Sequence, residues 1–520
     1  MLSARAMAAR RWLPASPAAR RRRRAVFRVA TALAAAAATA ACSDRSPGDG
    51  DAFAVRGVIE GFYGRPYTTA ERARVIRFIG ERGMNAYVYA PKSDPKHRDQ
   101  WREPYSDAEL ADFAELATAG DHSGVRLTFA ISPGITYRTD DPTDFDLLAA
   151  KLEAVHDAGV RGFALLFDDI FDAGADALAE PDFQARLTAR VDALVASFGD
   201  DSELWFIGHL YAGTGPDLEA GAIDRRLFLA PNPPAAYYDA YAALVAPEVP
   251  ILWTGPQVIS SSITRADAEG FRAFARRPVI VWDNYPANDV FPTDLFMGPY
   301  TGRDRELDAA ARGIVMNVMI EPAATLVPVA TGADYMRDPR GYDPEASWEK
   351  AVRDVGGSGA AALRDFAELH RGHPFLAGAV EAPELGGRIA AAFAPDASER
   401  DRSALRDQLA TIAGLEAAIG GISDGALAAD VAPWAHKASL LARAGLNGLD
   451  AIAGTGSADA YAAARAEAEA LPQLVARDDV SPAIAAIAGP GHPTDRFGDL
   501  FGAIDARLDG AASSGPHEPS

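Results

Sequence analysis

The chain has a single cysteine, Cys42, among 520 residues, so it can form no intramolecular disulfide and no cysteine-based zinc site. Histidine is also sparse, and His97, His122, His156 and His209 lack the spacing of metal ligands; no metal or cofactor is expected. No glycine-rich phosphate loop follows any strand-like segment, which weighs against a doubly wound nucleotide-binding sheet. Basic residues are outnumbered, 51 against 72 acids, for a formal net charge of -21. That balance disfavours nucleic acid or an anionic membrane surface as a partner, and more weakly a polyanionic polysaccharide. The leader-like apolar stretch, Val29 to Ala41, is too short to persist as a membrane-spanning helix.

What the chain does have begins with that leader. Arg5, Arg10, Arg11, the run Arg20 to Arg24 and Arg28 precede the Ala-rich stretch, which stops at Cys42. A basic region, a short apolar region and small residues before a cut site describe a secretory signal over residues 1–41, so the mature chain is expected to be exported. Thr39-Ala-Ala-Cys42 resembles a bacterial lipoprotein signal, which makes Cys42 the candidate lipidation site and an N-terminal lipid the expected membrane attachment. Ordinary cleavage at the Ala cluster is the alternative. The leader carries nine arginines and no acid, so its removal takes the formal charge from -21 to -30. A polar linker over 42–54 follows.

Hydrophobic residues make up 48% of the chain, enough for a large core and, at this length, more than one domain. Strand-like runs occur at Val55 to Glu60, Asn85 to Ala90, Arg126 to Ile131, Gly162 to Phe167, Glu203 to Leu210, Val249 to Trp253, Pro278 to Trp282 and Gly313 to Asn317. Helix-like segments lie between them, including Thr69 to Arg82, Asp107 to Ser123, Asp144 to Ala158 and Pro181 to Ser197. Eight such alternations predict an α/β fold, a (β/α)8 TIM-type barrel over 55–355. Beyond it the texture becomes Ala-rich and helical: Ala360 to His370, Leu385 to Ala394, Ser398 to Ile419, Ala435 to Ile452 and Ala458 to Leu471. An α-helical bundle domain is expected over 356–509, then a disordered polar tail over 510–520.

The strongest chemical signal is Asp168-Asp169, two carboxylates side by side where the apolar run from Gly162 ends. Two like charges that close do not both ionise cheaply, so one is a candidate acid and the other a base or electrostatic stabiliser. Taken alone, the pair reads as well as a solvated loop or a helix cap. Polar residues, however, follow nearly every strand: Glu60-Gly61, Lys92, Ser132, His209 and Tyr211, Thr254, Asp283-Asn284 and Asn317. In a barrel the loops after the strand C-termini build the active site, so the recurrence points to one site. Phe62, Tyr63, Tyr67 and Trp282 offer aromatic faces suited to a sugar ring, while Tyr89 and Trp253 read as core.

With those residues in view, the chain resembles glycoside hydrolase family 84, the O-GlcNAcase and β-N-acetylglucosaminidase family. The likeness rests on Arg56-Gly-Val-Ile-Glu-Gly-Phe-Tyr-Gly-Arg-Pro66, Tyr89-Ala-Pro-Lys-Ser-Asp-Pro-Lys-His-Arg98, Trp101-Arg-Glu-Pro-Tyr105 and Leu166-Phe-Asp-Asp-Ile170. Trp253-Thr-Gly-Pro256, Trp282-Asp-Asn-Tyr-Pro-Ala-Asn-Asp289 and Gly298-Pro-Tyr300 continue it in order. Two local departures bear on substrate selectivity: the residues before Tyr211, and Val318 where the family has proline.

The resemblance implies an exo-acting β-N-acetylglucosaminidase that releases terminal β-linked GlcNAc with retention, from a glycan or glycoprotein. Adjacent acids cannot easily flank a sugar ring from both faces, whereas they suit substrate-assisted catalysis, in which the 2-acetamido oxygen attacks and an oxazoline forms. By resemblance Asp168 orients the acetamido N–H, and Asp169 protonates the leaving oxygen and later activates water. That role asks for a raised pKa at Asp169, supplied by its neighbour and by partial burial. Gly61, Lys92, Asn284, Asp289 and Asn317 resemble residues that hydrogen-bond the sugar hydroxyls; Tyr211, Thr254 and Trp282 resemble those around the acetamido group. Asp283 and Asn288 read more readily as turn residues bonding their own backbone. A carbohydrate-binding lipoprotein without catalysis and a hyaluronan-degrading hexosaminidase are the alternatives.

Overall fold

Eight short segments carry apolar residues at consecutive rather than alternate positions, the pattern of strands covered on both faces. In the computed structural model, which describes residues 52–170, 182–221, 234–291, 293–471 and 496–513, they form a closed parallel barrel in sequence order. The strands are β1 (Val55–Glu60), β2 (Ala86–Tyr89), β3 (Arg126–Ile131), β4 (Gly162–Leu166), β5 (Glu203–Ile207), β6 (Ile251–Trp253), β7 (Val279–Asp283) and β8 (Gly313–Asn317). Closure is made where β1 pairs with β8, Val55 against Gly313 and Ile59 against Asn317. The TIM-type fold expected from the alternation is the fold observed. Cys42, with the expected leader and all but the last residues of the linker, lies outside the described residues, as does 514–520 of the expected tail.

Helices α1 (Thr69–Glu81), α2 (Asp107–Ser123), α3 (Pro142–Asp157), α4 (Phe183–Ala196), α5 (Gly215–Glu219), α6 (Pro234–Leu244), α7 (Arg265–Ala275) and α8 (Leu326–Arg337) belong to the barrel. Their starts are written locally: Thr68 with Glu71, Ser106 with Glu109 and Thr264 with Asp267 each close a reciprocal capping box. The helical region comprises α9 (Pro344–Gly356), α10 (Ala360–Leu369), α11 (Pro383–Phe393), α12 (Glu399–Ala413), α13 (Leu415–Gly420), α14 (Gly425–Ile452), α15 (Ala458–Ala470) and α16 (Arg496–Ser513). Residues 51–520 form one compact unit.

Three details differ from the sequence reading. The segment Ser398 to Ile419 is two helices that part at Gly414. Helix α14 begins ten residues before Ala435 and runs through Pro433; an Asp424 cap and burial of Leu427, Val431, Trp434 and Ala435 outweigh the lost backbone bond. Helix α16 continues to Ser513, past the point where the tail was expected to start.

Two strand-end carboxylates that the sequence places among site candidates are instead structural. Glu60, closing β1, accepts both arms of the Arg72 guanidinium (2.7 and 2.8 Å), the Tyr87 hydroxyl (2.7 Å) and the Tyr67 backbone N–H (2.9 Å). Asp283, closing β7, accepts two bonds from Arg303 (2.6 Å each) and one from the Tyr300 hydroxyl (2.5 Å). Both ion pairs are buried, where fully bonded geometry is what makes a charge tolerable. Arg303→Met should therefore lower the unfolding free energy by about 3–5 kcal/mol, because it strands a buried carboxylate. Urea denaturation checks this, with the double change Asp283→Leu/Arg303→Met expected to cost less; a single variant as stable as wild type would contradict it.

Candidate active site

The C-terminal ends of the strands converge on a pocket of roughly 600 Å³, part of it open to solvent. It brings together all ten residues singled out for catalysis or sugar binding: Gly61, Lys92, Asp168, Asp169, Tyr211, Thr254, Trp282, Asn284, Asp289 and Asn317. Tyr63, Ile207, Val258, Ile259, Ala287 and Val290 complete the lining. Phe62 and Tyr67, offered as sugar-facing aromatics, pack against each other in the core instead, with ring centroids 5.3 Å apart. Trp253 is core as expected, stacked on Phe271.

The acid pair begins two residues beyond the end of β4, and the two carboxylates have different surroundings. Asp168 is buried, and its Oδ2 forms an ion pair with the buried Lys92 ammonium. Its Oδ1 is buried with no hydrogen-bond partner among the described residues. Asp169 occupies the left-handed backbone region (φ 52°), a conformation Asp tolerates better than most residues and one that gathers at functional sites. Its Oδ1 accepts from the Tyr211 hydroxyl (2.7 Å) and its Oδ2 from the Tyr63 hydroxyl (3.0 Å), with the Lys92 ammonium 3.7 Å away.

Arg98 completes the arrangement. Its guanidinium donates to the Tyr63 hydroxyl (2.8 Å) and to the Asp169 backbone carbonyl, bracing the left-handed turn from behind. Burial alone would raise the Asp169 pKa, but Lys92, Arg98 and the two phenols together hold it below the ordinary carboxylate range. The expected elevation at Asp169 is thus not found in this site; the cations and donors outweigh burial.

The opposite wall is an amide chain. The Gly61 N–H donates to Asn317 Oδ1 (3.0 Å), Asn317 Nδ2 to Asn284 Oδ1 (2.9 Å), Trp282 Nε1 to the same oxygen (3.0 Å), and Asn284 Nδ2 to the Val258 carbonyl (2.8 Å). These bonds fix both amide orientations and aim the indole. Residue 61 must be glycine here, since a Cβ would lie 2.4 Å from the Trp282 ring. Asp289 accepts backbone N–H groups of Tyr63 (2.9 Å) and Val290 (3.0 Å), and burial pushes its pKa up to about 6. The Thr254 hydroxyl donates to the Gln257 carbonyl (2.9 Å).

Asn288 does not bond its own turn as the sequence suggested. Its Nδ2 donates to Glu321 (2.8 Å) and to the Asp294 carbonyl (3.0 Å), while its Oδ1 accepts from the Ile320 N–H (3.0 Å). The sequence reading also missed Arg98 and the phenol role of Tyr63. Both lie inside motifs already noted, but nothing local says that they meet Asp169. Among the described residues no three His, Cys, Asp or Glu side chains converge as a metal site.

Residues 56–368 match the beta-N-acetylglucosaminidase family. The Protein O-GlcNAcase of Mus musculus is 33% identical over 284 residues, which are 54% of this chain and 30% of that protein; the Rattus norvegicus protein gives the same figures. The chain therefore spans about three tenths of the length of these curated relatives. Among solved structures, a mutant O-GlcNAc hydrolase from Thermobaculum terrenum superposes with a TM-score of 0.70 at 24% identity, over 89% of this chain and 96% of that one. A structure named CpGH84B gives 0.69 at 25% identity, over 89% and 77%.

Tyr63→Phe removes one of the two phenol donors that favour the ionised form of Asp169, so the Asp169 pKa must rise. Carboxyl 13C titration, with the Asp169 resonance assigned by its loss in Asp169→Asn, checks the direction. A fall, or no movement, would mean that the Tyr63 bond does not hold the charge.

Proposed function

The chain belongs to the beta-N-acetylglucosaminidase family, and on that premise we propose that it hydrolyses terminal β-linked GlcNAc by substrate-assisted catalysis, with retention of configuration. The observation that carries the mechanism is Asp168 Oδ1, a buried acceptor without a partner among the described residues, beside an acid whose own oxygens are held by Tyr63 and Tyr211. An acetamido N–H satisfies that oxygen and leaves the acetamido carbonyl oxygen to attack the anomeric carbon. The bond to the leaving oxygen breaks as Asp169 gives it a proton, and an oxazoline forms. Asp169 then takes a proton from the water that opens the oxazoline, restoring the β configuration.

Because Asp169 is held low, it must gain its proton as substrate binds. A sugar over the pocket removes water from Asp169 and loosens its hold on charge; desolvation raises the pKa. Asp289, Asn284 and Asn317 receive the ring hydroxyls, with the Gly61 backbone fixing Asn317. Tyr211, Thr254 and Trp282 enclose the acetyl group. The natural substrate is a GlcNAc-terminated glycan or glycoprotein, in keeping with the O-GlcNAcase relatives. The paired acids weigh against a binding-only descendant.

Kinetics on aryl β-GlcNAc substrates test this reading. Asp169→Asn should cost about 10²–10⁴-fold with poor leaving groups and far less with activated ones, which need little protonation. Asp168→Asn should be slow with every leaving group. An inverted product by NMR, or a glycosylated carboxylate by mass spectrometry, would remove the mechanism.

The leader belongs to the same proposal. Residues 1–41 direct export, and Cys42 becomes the lipidated N-terminus of an anchored enzyme. Cys42→Ser should move the protein out of the membrane fraction or leave the leader uncut. A wild-type protein that is fully soluble, with its N-terminus elsewhere than residue 42, would count against lipidation.

A further inference from the structure

Helix α14 lies more than 100 residues beyond the last strand, yet it touches the barrel at the two turns that flank one wall of the pocket. Asp430 Oδ2 accepts the backbone N–H groups of Ala323 (2.6 Å) and Ala324 (3.2 Å). Four residues on, and so on the same face of the helix, Trp434 Nε1 donates to the Thr293 carbonyl (2.8 Å). The Ala323 and Ala324 donors stand just ahead of α8, whose N-cap residue, Thr325, makes no capping bond because its hydroxyl accepts the Met319 N–H instead (3.2 Å). Two backbone donors of the turn that leads into α8 are thus satisfied by a distant helix.

The two anchored turns are tied to each other through Asn288. Its amide bonds Glu321 and the Ile320 N–H on the first turn and the Asp294 carbonyl on the second. The next residue is Asp289, whose carboxylate faces the pocket. We propose that α14 is a positioning element for sugar binding: Asp430 and Trp434 hold the turns at 320–324 and 293–294, and Asn288 transmits that placement to Asp289. The inference rests on the proposed role of Asp289 as a receiver of sugar hydroxyls. Asp430 and Trp434 touch no substrate; they act through Asn288 on where the Asp289 carboxylate stands.

The test measures binding of free GlcNAc by calorimetry alongside turnover of an activated aryl β-GlcNAc, in the full chain, with melting curves to certify folding. Asp430→Ala deletes the acceptor and should weaken GlcNAc binding and raise KM by about tenfold, the scale of one lost hydrogen bond, with kcat less affected. Asp430→Asn keeps an oxygen acceptor at the same place and should restore most of the binding, as a merely electrostatic role would not allow. Trp434→Phe, which keeps the ring and removes the donor, should move in the direction of Asp430→Ala. In an Asp289→Ala background, Asp430→Ala should add almost nothing, because the group it positions is gone. Additive losses, or an Asp430→Ala variant that binds GlcNAc like wild type, would overturn the inference while leaving the enzyme reading intact. A wild-type protein that neither binds nor turns over β-GlcNAc would overturn both.

Discussion

Two adjacent carboxylates beyond the end of one strand, Asp168 buried and Asp169 mostly so, are the constraint to which the rest of the site answers. A buried charge is tolerated only with a partner and filled hydrogen bonds, and two neighbours in sequence cannot share one partner set. The site resolves this by divergence. The left-handed backbone at Asp169 turns its carboxylate toward Tyr63 and Tyr211, while Asp168 is left to Lys92. Arg98 then braces both the strained carbonyl and one of the phenols. These partners come from three loops, after β1, β2 and β5, so the pair depends on a closed barrel that brings those strand ends together.

The barrel was legible because its signals are local. Consecutive apolar runs at regular spacing, with reciprocal caps such as Thr68 and Glu71 between them, need no tertiary knowledge to read. The positions of the pocket residues were legible for the same reason, since a strand end fixes which loop carries a side chain. What the sequence could not state is which strand-end carboxylates face inward to chemistry and which to a buried arginine. Glu60 and Asp283 look like Asp168 in one dimension; only Arg72 and Arg303, 12 and 20 residues away, tell them apart. The sign of the Asp169 shift was illegible too, because it depends on cations and phenols from loops that sequence order keeps apart.

The helical region repeats the lesson over longer range. Its Ala-rich texture announces helices, but Pro433 hides the first ten residues of α14, and those residues include Asp430. The contacts that join α14 to the barrel span 107 and 141 residues of chain. They are single polar bonds rather than a periodic pattern, so no window of sequence records them. The helical region thus also supplies a carboxylate that holds the turn ahead of α8.

The charge of the pocket narrows what it can hold. The protein is strongly acidic, yet among the described residues lining the pocket the ionisable carboxylates are Asp168, Asp169 and Asp289, against one ammonium, Lys92. That ammonium is already paired with Asp168. A ring bearing its own carboxylate would enter a site whose cation is engaged and whose remaining charges repel it, with little water left to screen them. On the proposed function, a neutral ring that offers hydroxyl and amide donors meets acceptors instead: Asp168 Oδ1 for an N–H, Asp289 for a hydroxyl. The electrostatics therefore weigh against a uronic acid at this position and are in keeping with the proposed uncharged N-acyl sugar.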